Sequence, residues 1–271
     1  MKKLIKLNGE LQKIQMYKNM KKFISFSGGV ESSTMCVLFG KEADAVFADT
    51  GFEHKILYER IELIQNWVRK FHRKDFIIHL VKNLKYASLK DYIIHCKYYP
   101  SFKSRYCTRM FKIEPIDDFL EQFKEEGVEL MIGLNADEID QRTGNHGNKK
   151  FVNYSYPLAN NGITRDFCKT VLKKANLLPH FPVYMSRGGC IGCYYKSLRE
   201  YEAMCVLNPE EFKIVEDLEE QIQDNRENFF SILKGIPMKN IREYMKMGLF
   251  DPKIIYAQIN DVTACGVFCN R

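Results

Sequence analysis

A chain of 271 residues, 45% hydrophobic and 28% charged, can bury a substantial core and has the composition of an ordinary globular protein. No apolar run approaches the roughly 20 residues that a membrane span needs, and the N-terminal MKKLIKLNGELQKIQMYKNMKK has no signal-peptide core, so the expectation is a cytoplasmic chain without membrane contact. Nine cysteines in a reducing compartment argue against a disulfide scaffold and for metal binding or thiol chemistry. Cys36 and Cys96, beside apolar neighbours, are expected only to fill space.

In chain order, KFISFS (22–27) predicts a buried strand, ESSTMCVLFG a helix ending near Gly40, and ADAVFADT (43–50) a second strand. HKILYERIELIQNWVRKFH has helical periodicity, DFIIHLV (75–81) predicts a third strand, and IEPIDDFLEQFKEEG a helix closed by Gly127 before the strand VELMIGLNA (128–136). This alternation implies βαβ units and a parallel sheet with right-handed crossovers. After about residue 160 the strand signal fades. RDFCKTVLKKAN predicts a helix and RGGCIGCYYKS a glycine-rich loop, and two capped helices follow: Ser197 with Glu200 and Asn208 with Glu211 have capping-box spacing, with Pro209 at a first helical position.

The net charge of +7 is concentrated in residues 82–112, with eight Lys/Arg against one Asp, threaded by Tyr86, Tyr92, Tyr98, Tyr99, Phe102, Tyr106 and Phe111. Such a mixture suits a polyanion whose bases can stack, or a solvated basic face over a tyrosine-rich core.

The segment FISFSGGVESSTM (23–35) places two glycines and a cluster of hydroxyls where a strand passes into a helix. Gly28 and Gly29 let the backbone approach an anion, the helix start offers free N–H groups, and Ser27, Ser32 and Ser33 add hydroxyl donors. The loop is a phosphate cradle that matches neither the Walker sequence nor G-x-G-x-x-G. Asp137, Glu138 and Arg142 follow the strand VELMIGL, at the sheet edge where α/β ligands bind. Arg142 and Arg165 could grip phosphate or sulfate by paired hydrogen bonds, and Arg109 and Lys112 are further anion contacts. A lone His54 after DTGFE is read as structural.

SGGVESS resembles the loop of the PP-loop ATP pyrophosphatase superfamily, and FADTGFEH (47–54) at the second strand end resembles its phosphoadenosine-phosphosulfate (PAPS) reductase-like branch. RYCTRMFKIEPI, GLNADEIDQR, YPL, RDFC and GGCIGCYYKS extend the likeness to small stand-alone bacterial and phage members, and ACGVF (264–268) is similar to the reductases' cysteine-bearing tail. The resemblance implies a Rossmann-like, adenine nucleotide alpha hydrolase-like α/β domain over 1–160. Helices would cover both faces of its sheet, and a mainly helical appendage over 161–271 would carry a Cys-rich metal site. It implies nucleotide contacts from Ser25, Phe26, Ser27, Gly28, Gly29, Glu31, Ser32, Ser33, Asp49, Thr50, Gly51, Gly133, Asp137, Glu138 and Arg165, with Glu31 standing where the family usually has Asp.

Cys190 and Cys193 have C-x-x-C spacing, which lets two thiolates meet one metal centre. The resemblance adds Cys107, whose upstream neighbour is Tyr106 rather than a second cysteine. Cys168 is then the expected fourth ligand, with Cys205 and Cys265 behind it. A [4Fe-4S] cluster, Zn²⁺ in the same thiolates, a three-cysteine cluster and a redox dithiol stay open.

The expected function is an enzyme acting at the α-phosphate of ATP with Mg²⁺, adenylating a substrate and transferring sulfur from a donor, with tRNA or DNA as a candidate acceptor. The alternative is reduction of adenylyl sulfate (APS) or PAPS by nucleophilic Cys265 with a thiol reductant, with Arg142 and Lys112 assisting. A non-catalytic nucleotide- or nucleic-acid-binding module is the third reading. A homodimer is compatible with each.

Overall fold

The computed structural model describes residues 20–138, 149–186, 189–223 and 230–248. Five strands, β1 (Lys21–Ser25), β2 (Asp44–Ala48), β3 (Ile78–Val81), β4 (Val128–Ile132) and β5 (Val152–Ser155), form one sheet in the order β3-β2-β1-β4-β5. Every pairing is parallel; Ile24 lies opposite Ala45 on one side and Met131 on the other. The central strands read as near-continuous apolar runs because both of their faces are covered. Ile24, Ala45, Phe47 and Met131 enter one core, while Phe23, Val46, Ala48 and Leu130 enter the other, as the alternation of a strand requires. β5, VNYS, is a short edge strand absent from the sequence expectation.

The first core is closed by α1 (Val30–Phe39), α2 (Lys55–Phe71) and α5 (Arg165–Lys174). Along α2, Leu57, Ile61, Ile64 and Val68 recur at helical spacing, and each fully buried side chain of this kind contributes about 1.5–3 kcal/mol. α5 packs on α1 and buries Cys168 and Leu172 beside Phe26 and Met35, so residues on either side of 160 share one core. The other face is covered by α4 (Glu114–Glu121), which continues a run that enters at Tyr106–Thr108 and widens into a π turn over Arg109–Ile113.

A third cluster joins the two halves of the chain. α3 (Leu89–Cys96), Tyr99 and Phe111 pack with the 3₁₀ turn Val183–Met185, α6 (Leu198–Leu207), α7 (Pro209–Gln223) and α8 (Met238–Lys246). The Ser197–Glu200 capping box forms: Glu200 N donates to Ser197 Oγ at 3.3 Å and Ser197 N to Glu200 Oε2 at 2.8 Å. At Asn208 only half of the expected box is present. Glu211 N donates to Asn208 Oδ1 at 3.2 Å, but the Glu211 carboxylate turns away to accept from Lys55 N at 3.1 Å, stitching α7 to the start of α2. Among the described residues no helix is long and apolar enough to cross a membrane.

Ser197→Ala removes the side-chain acceptor and should cost about 1 kcal/mol. A urea titration that leaves the midpoint unmoved would show that the cap contributes nothing.

Candidate functional site

β1 pairs with β2 on one side and β4 on the other, so the crossovers leave in opposite directions from its carboxyl end. That switch point opens a crevice, and the sequence places the glycine loop there. Phe26 N donates to Val46 O at 2.9 Å and its ring is buried in the core, so it reaches the site only through its backbone. Gly28 takes φ +79°, a left-handed conformation, and a Cβ there would stand 2.9 Å from Leu57 Cδ2. Gly29 caps α1 in extended conformation with no side chain closing the helix end. Of the hydroxyls expected on a phosphate, those of buried Ser32 and Ser33 face inward instead, and half-buried Ser27 Oγ lies 3.1 Å from Ser32 Oγ. Ser32 Oγ donates to Gly29 O at 3.3 Å and accepts from Ser27 N at 3.2 Å; Ser33 Oγ donates to Gly28 O at 3.4 Å. They shape the loop, and its remaining donors are backbone amides.

Beneath the loop lies Arg60, which no motif marks. Its Nε donates to Gly28 O at 2.8 Å, and its Nη2 to Ser33 Oγ at 3.0 Å and Leu177 O at 2.8 Å. Burial lowers its pKa to about 10, which leaves it charged at neutral pH. Its only sequence signal is a cation at a core-facing position of α2.

At the end of β4, Gly133 is crowded against the loop helix: a Cβ would lie 3.2 Å from Ser32 N. Glu31 Oε1 accepts from Asn135 Nδ2 at 3.2 Å and from Arg165 Nη1 in a close ion pair, so two residues expected on the nucleotide hold each other across the crevice. Asp137 Oδ2 accepts from Arg165 N at 2.9 Å, and Glu138 N donates to Asn135 O at 3.2 Å. Arg142 and Cys265 lie outside the described residues.

At the end of β2, buried Asp49 accepts from Gly51 N at 2.8 Å and Tyr58 OH at 2.7 Å, and pairs with Lys82 at 3.1 Å. Gly51 adopts φ +64°, where the chain turns against Ser88. Thr50 Oγ1 donates to Glu53 Oε1 at 2.8 Å, and Cys190 Sγ donates to the same oxygen at 3.3 Å. The cysteine loop is tied here by backbone bonds, His54 N to Gly189 O and Ile191 N to Phe52 O, each 2.9 Å. Glu53 was not anticipated from the sequence.

Cys107, Cys190 and Cys193 lie within electrostatic reach of one another and of buried Lys112. Burial pushes their thiols up, Cys193 to about 11, against the downward pull of Lys112. Lys196, also buried, acts on Cys193 and donates through Nζ to Tyr184 O. Cys168 is elsewhere: it sits on α5 in the sheet core, and its carbonyl accepts from Thr34 Oγ1 at 3.3 Å. Cys205 packs in the α6–α8 cluster. The expected four-cysteine set is therefore not brought together. Among the described residues no group of three or more His, Cys, Asp or Glu side chains is arranged to hold a metal ion, so no chemistry is assigned to a metal centre.

Of the cations of the basic stretch only Lys112 is buried, although several of the others are engaged by partners. Lys82 pairs with Asp49, Arg109 with Glu114 at 3.4 Å, Lys97 donates to Gln221 O at 2.6 Å, and Lys112 is buried. Tyr99 and Phe111 are core residues, and Tyr86, Tyr92 and Tyr106 pack against them. Phe102, 69% exposed, and Tyr98 remain at the surface.

No protein-family model matches the chain. An uncharacterized protein of Methanocaldococcus jannaschii is 30% identical over 132 residues, which are 46% of this chain and 25% of that protein; the chain spans about a quarter of that relative's length. A crystal structure of phosphoadenylyl-sulfate (PAPS) reductase from Candida auris, in complex with phosphate, overlaps 60% of this chain and 74% of its own at a TM-score of 0.40 and 17% identity. That overlap is too loose to carry an argument.

His54, buried, meets Glu211 through Nδ1 at 2.5 Å and packs on Tyr184. Burial lowers the His54 pKa below its ordinary 6.5 despite the carboxylate. Burial alone would raise Glu211, but the His54 hydrogen bond and charge and the Lys55 amide bring it below its ordinary 4.5. Both groups bind fewer protons folded than unfolded. His54 therefore contributes stability above 6.5 that is lost as the pH falls beneath it, and Glu211 adds a further loss as the pH falls through its lowered value. Thermal unfolding between about pH 7 and 5 should show a falling midpoint, with a shallower slope in His54→Gln. Equal slopes would refute the assignment.

Proposed function

We propose that the chain is an enzyme that binds an adenine nucleotide, with its phosphates against the backbone amides that run from Gly28 into the first turn of α1. The observation that carries this reading is the left-handed glycine loop at the switch point of a parallel sheet, backed by a buried cation. The reaction that suits it is substitution at the α-phosphate. An acceptor oxygen attacks phosphorus, the bond to the β-phosphate oxygen breaks, and pyrophosphate leaves with those electrons. The helix start and amides offset the developing negative charge. A sulfur nucleophile then displaces AMP from the acceptor. Mg²⁺ would enter with the nucleotide phosphates, since Glu31 and Asp49 are already engaged by Arg165, Asn135, Tyr58 and Lys82.

Sulfur chemistry is favoured because the cysteine loop is bonded to the end of β2, with Leu57 packed between Gly28 and Gly189. The same closeness supports the second reading, attack by a thiolate on the sulfur of APS or PAPS. In that case the bond between sulfur and the phosphate oxygen breaks, the nucleotide leaves, and a second thiol frees sulfite as a disulfide forms. Arg142 and Cys265 keep their proposed roles in that scheme. For a tRNA or DNA acceptor, residues 82–112 offer exposed cations at Lys82, Lys85, Lys103 and Arg109, of which Lys82 and Arg109 are already in ion pairs.

Calorimetry with ATP and with adenylyl sulfate should show binding to the native chain. In Gly28→Ala affinity should fall by about tenfold or more, from strain at positive φ and the clash with Leu57. Pyrophosphate released from ATP would support adenylation, and sulfite released from adenylyl sulfate the reductase reading. Absence of binding to both nucleotides would overturn the proposal.

A further inference from the structure

Arg60 is an expensive residue to bury. It is 6% exposed, and among the described residues no carboxylate pairs with it. Its Nε and Nη2 donate to two backbone carbonyls and a hydroxyl, which leaves a whole positive charge under the loop that receives an anion. The bond to the Gly28 carbonyl has a geometric consequence. The peptide between Gly28 and Gly29 is trans and planar, so its C=O and N–H point in opposite directions. With the carbonyl drawn inward by Arg60 Nε, the Gly29 N–H faces away from Arg60, toward the crevice. Arg60 Nη2 meanwhile holds Ser33 Oγ in the inward position from which it donates to the same carbonyl. The third bond, to Leu177 O, anchors the guanidinium to the chain just after α5.

We propose that Arg60 is the positioning residue of the phosphate loop: it fixes the Gly28–Gly29 peptide so that its N–H meets a nucleotide phosphate, and it supplies a buried counter-charge to that phosphate. This rests on the nucleotide-binding reading and adds a residue that touches neither the nucleotide nor the acceptor. The role belongs to arginine because two nitrogens of one rigid planar fork, Nε and Nη2, hold the Gly28 carbonyl, Ser33 and Leu177 together, a spacing that the single nitrogen of an ammonium lacks.

The test compares ATP with adenosine, by calorimetry, in the native chain, Arg60→Met and Arg60→Lys, with folding checked by circular dichroism. The native chain should prefer ATP. In Arg60→Met that preference should fall by about tenfold or more while adenosine affinity holds, because only the phosphate contacts depend on Arg60. Arg60→Lys, which keeps charge but loses the fork, should lie between. An unchanged preference in Arg60→Met, or equal losses for ATP and adenosine, would overturn the proposal and leave Arg60 a packing residue. Should Arg60→Met fail to fold, Arg60→Lys decides: a reduced preference supports the role and an unchanged one overturns it. A native chain that binds both ligands equally would overturn the nucleotide reading and this proposal together.

Discussion

Leu57, one side chain on the first turn of α2, lies between the backbone of Gly28 and the backbone of Gly189. Neither glycine could carry a Cβ without displacing it, so the glycine loop and the cysteine loop are held a single residue apart. α2 is rigid because its apolar stripe is sunk in the sheet core, and Arg60, one turn further along, fastens the same helix to the Gly28 carbonyl. The positions of the anion site and of the thiols thus follow from how one helix packs.

That arrangement explains several local choices that look arbitrary along the chain. Glu53 serves two neighbours, accepting from Thr50 and from Cys190, and so joins the end of β2 to the C-x-x-C segment. Glu31 and Arg165 brace α1 against α5 over the opposite wall of the crevice. Lys112 and Lys196 place positive charge beside the thiols, partly offsetting a burial that still keeps them protonated. Glu53 with Cys190 and Glu31 with Arg165 pair across distant parts of the sequence, and an unpaired polar group in such a place would be costly.

The parallel sheet was legible because its central strands are short runs of Val, Ile, Phe and Ala bounded by turn residues, and the switch-point loop because glycines at a strand end have few other uses. β5 was missed because VNYS is short and half polar, as an edge strand can be. α3 was hidden inside a basic aromatic stretch read by its composition, and that stretch packs most of its rings inward while most of its cations stay at or near the surface. Cys168 was grouped with the other cysteines by family likeness and chain order, yet the helix that bears it packs on α1, in a different core. Arg60 and Glu53 could not be singled out, since their roles exist only once α2 is docked beneath the loop and Cys190 is bonded to the strand end.

The most direct measurement is a crystal structure of the chain with ATP. The account predicts a triphosphate lying over Gly28–Ser33, with the Gly29 amide donating to a phosphate oxygen and Arg60 still holding the carbonyl behind it. A nucleotide seated away from the β1–α1 loop, or a Gly28 carbonyl turned toward the phosphates, would contradict it.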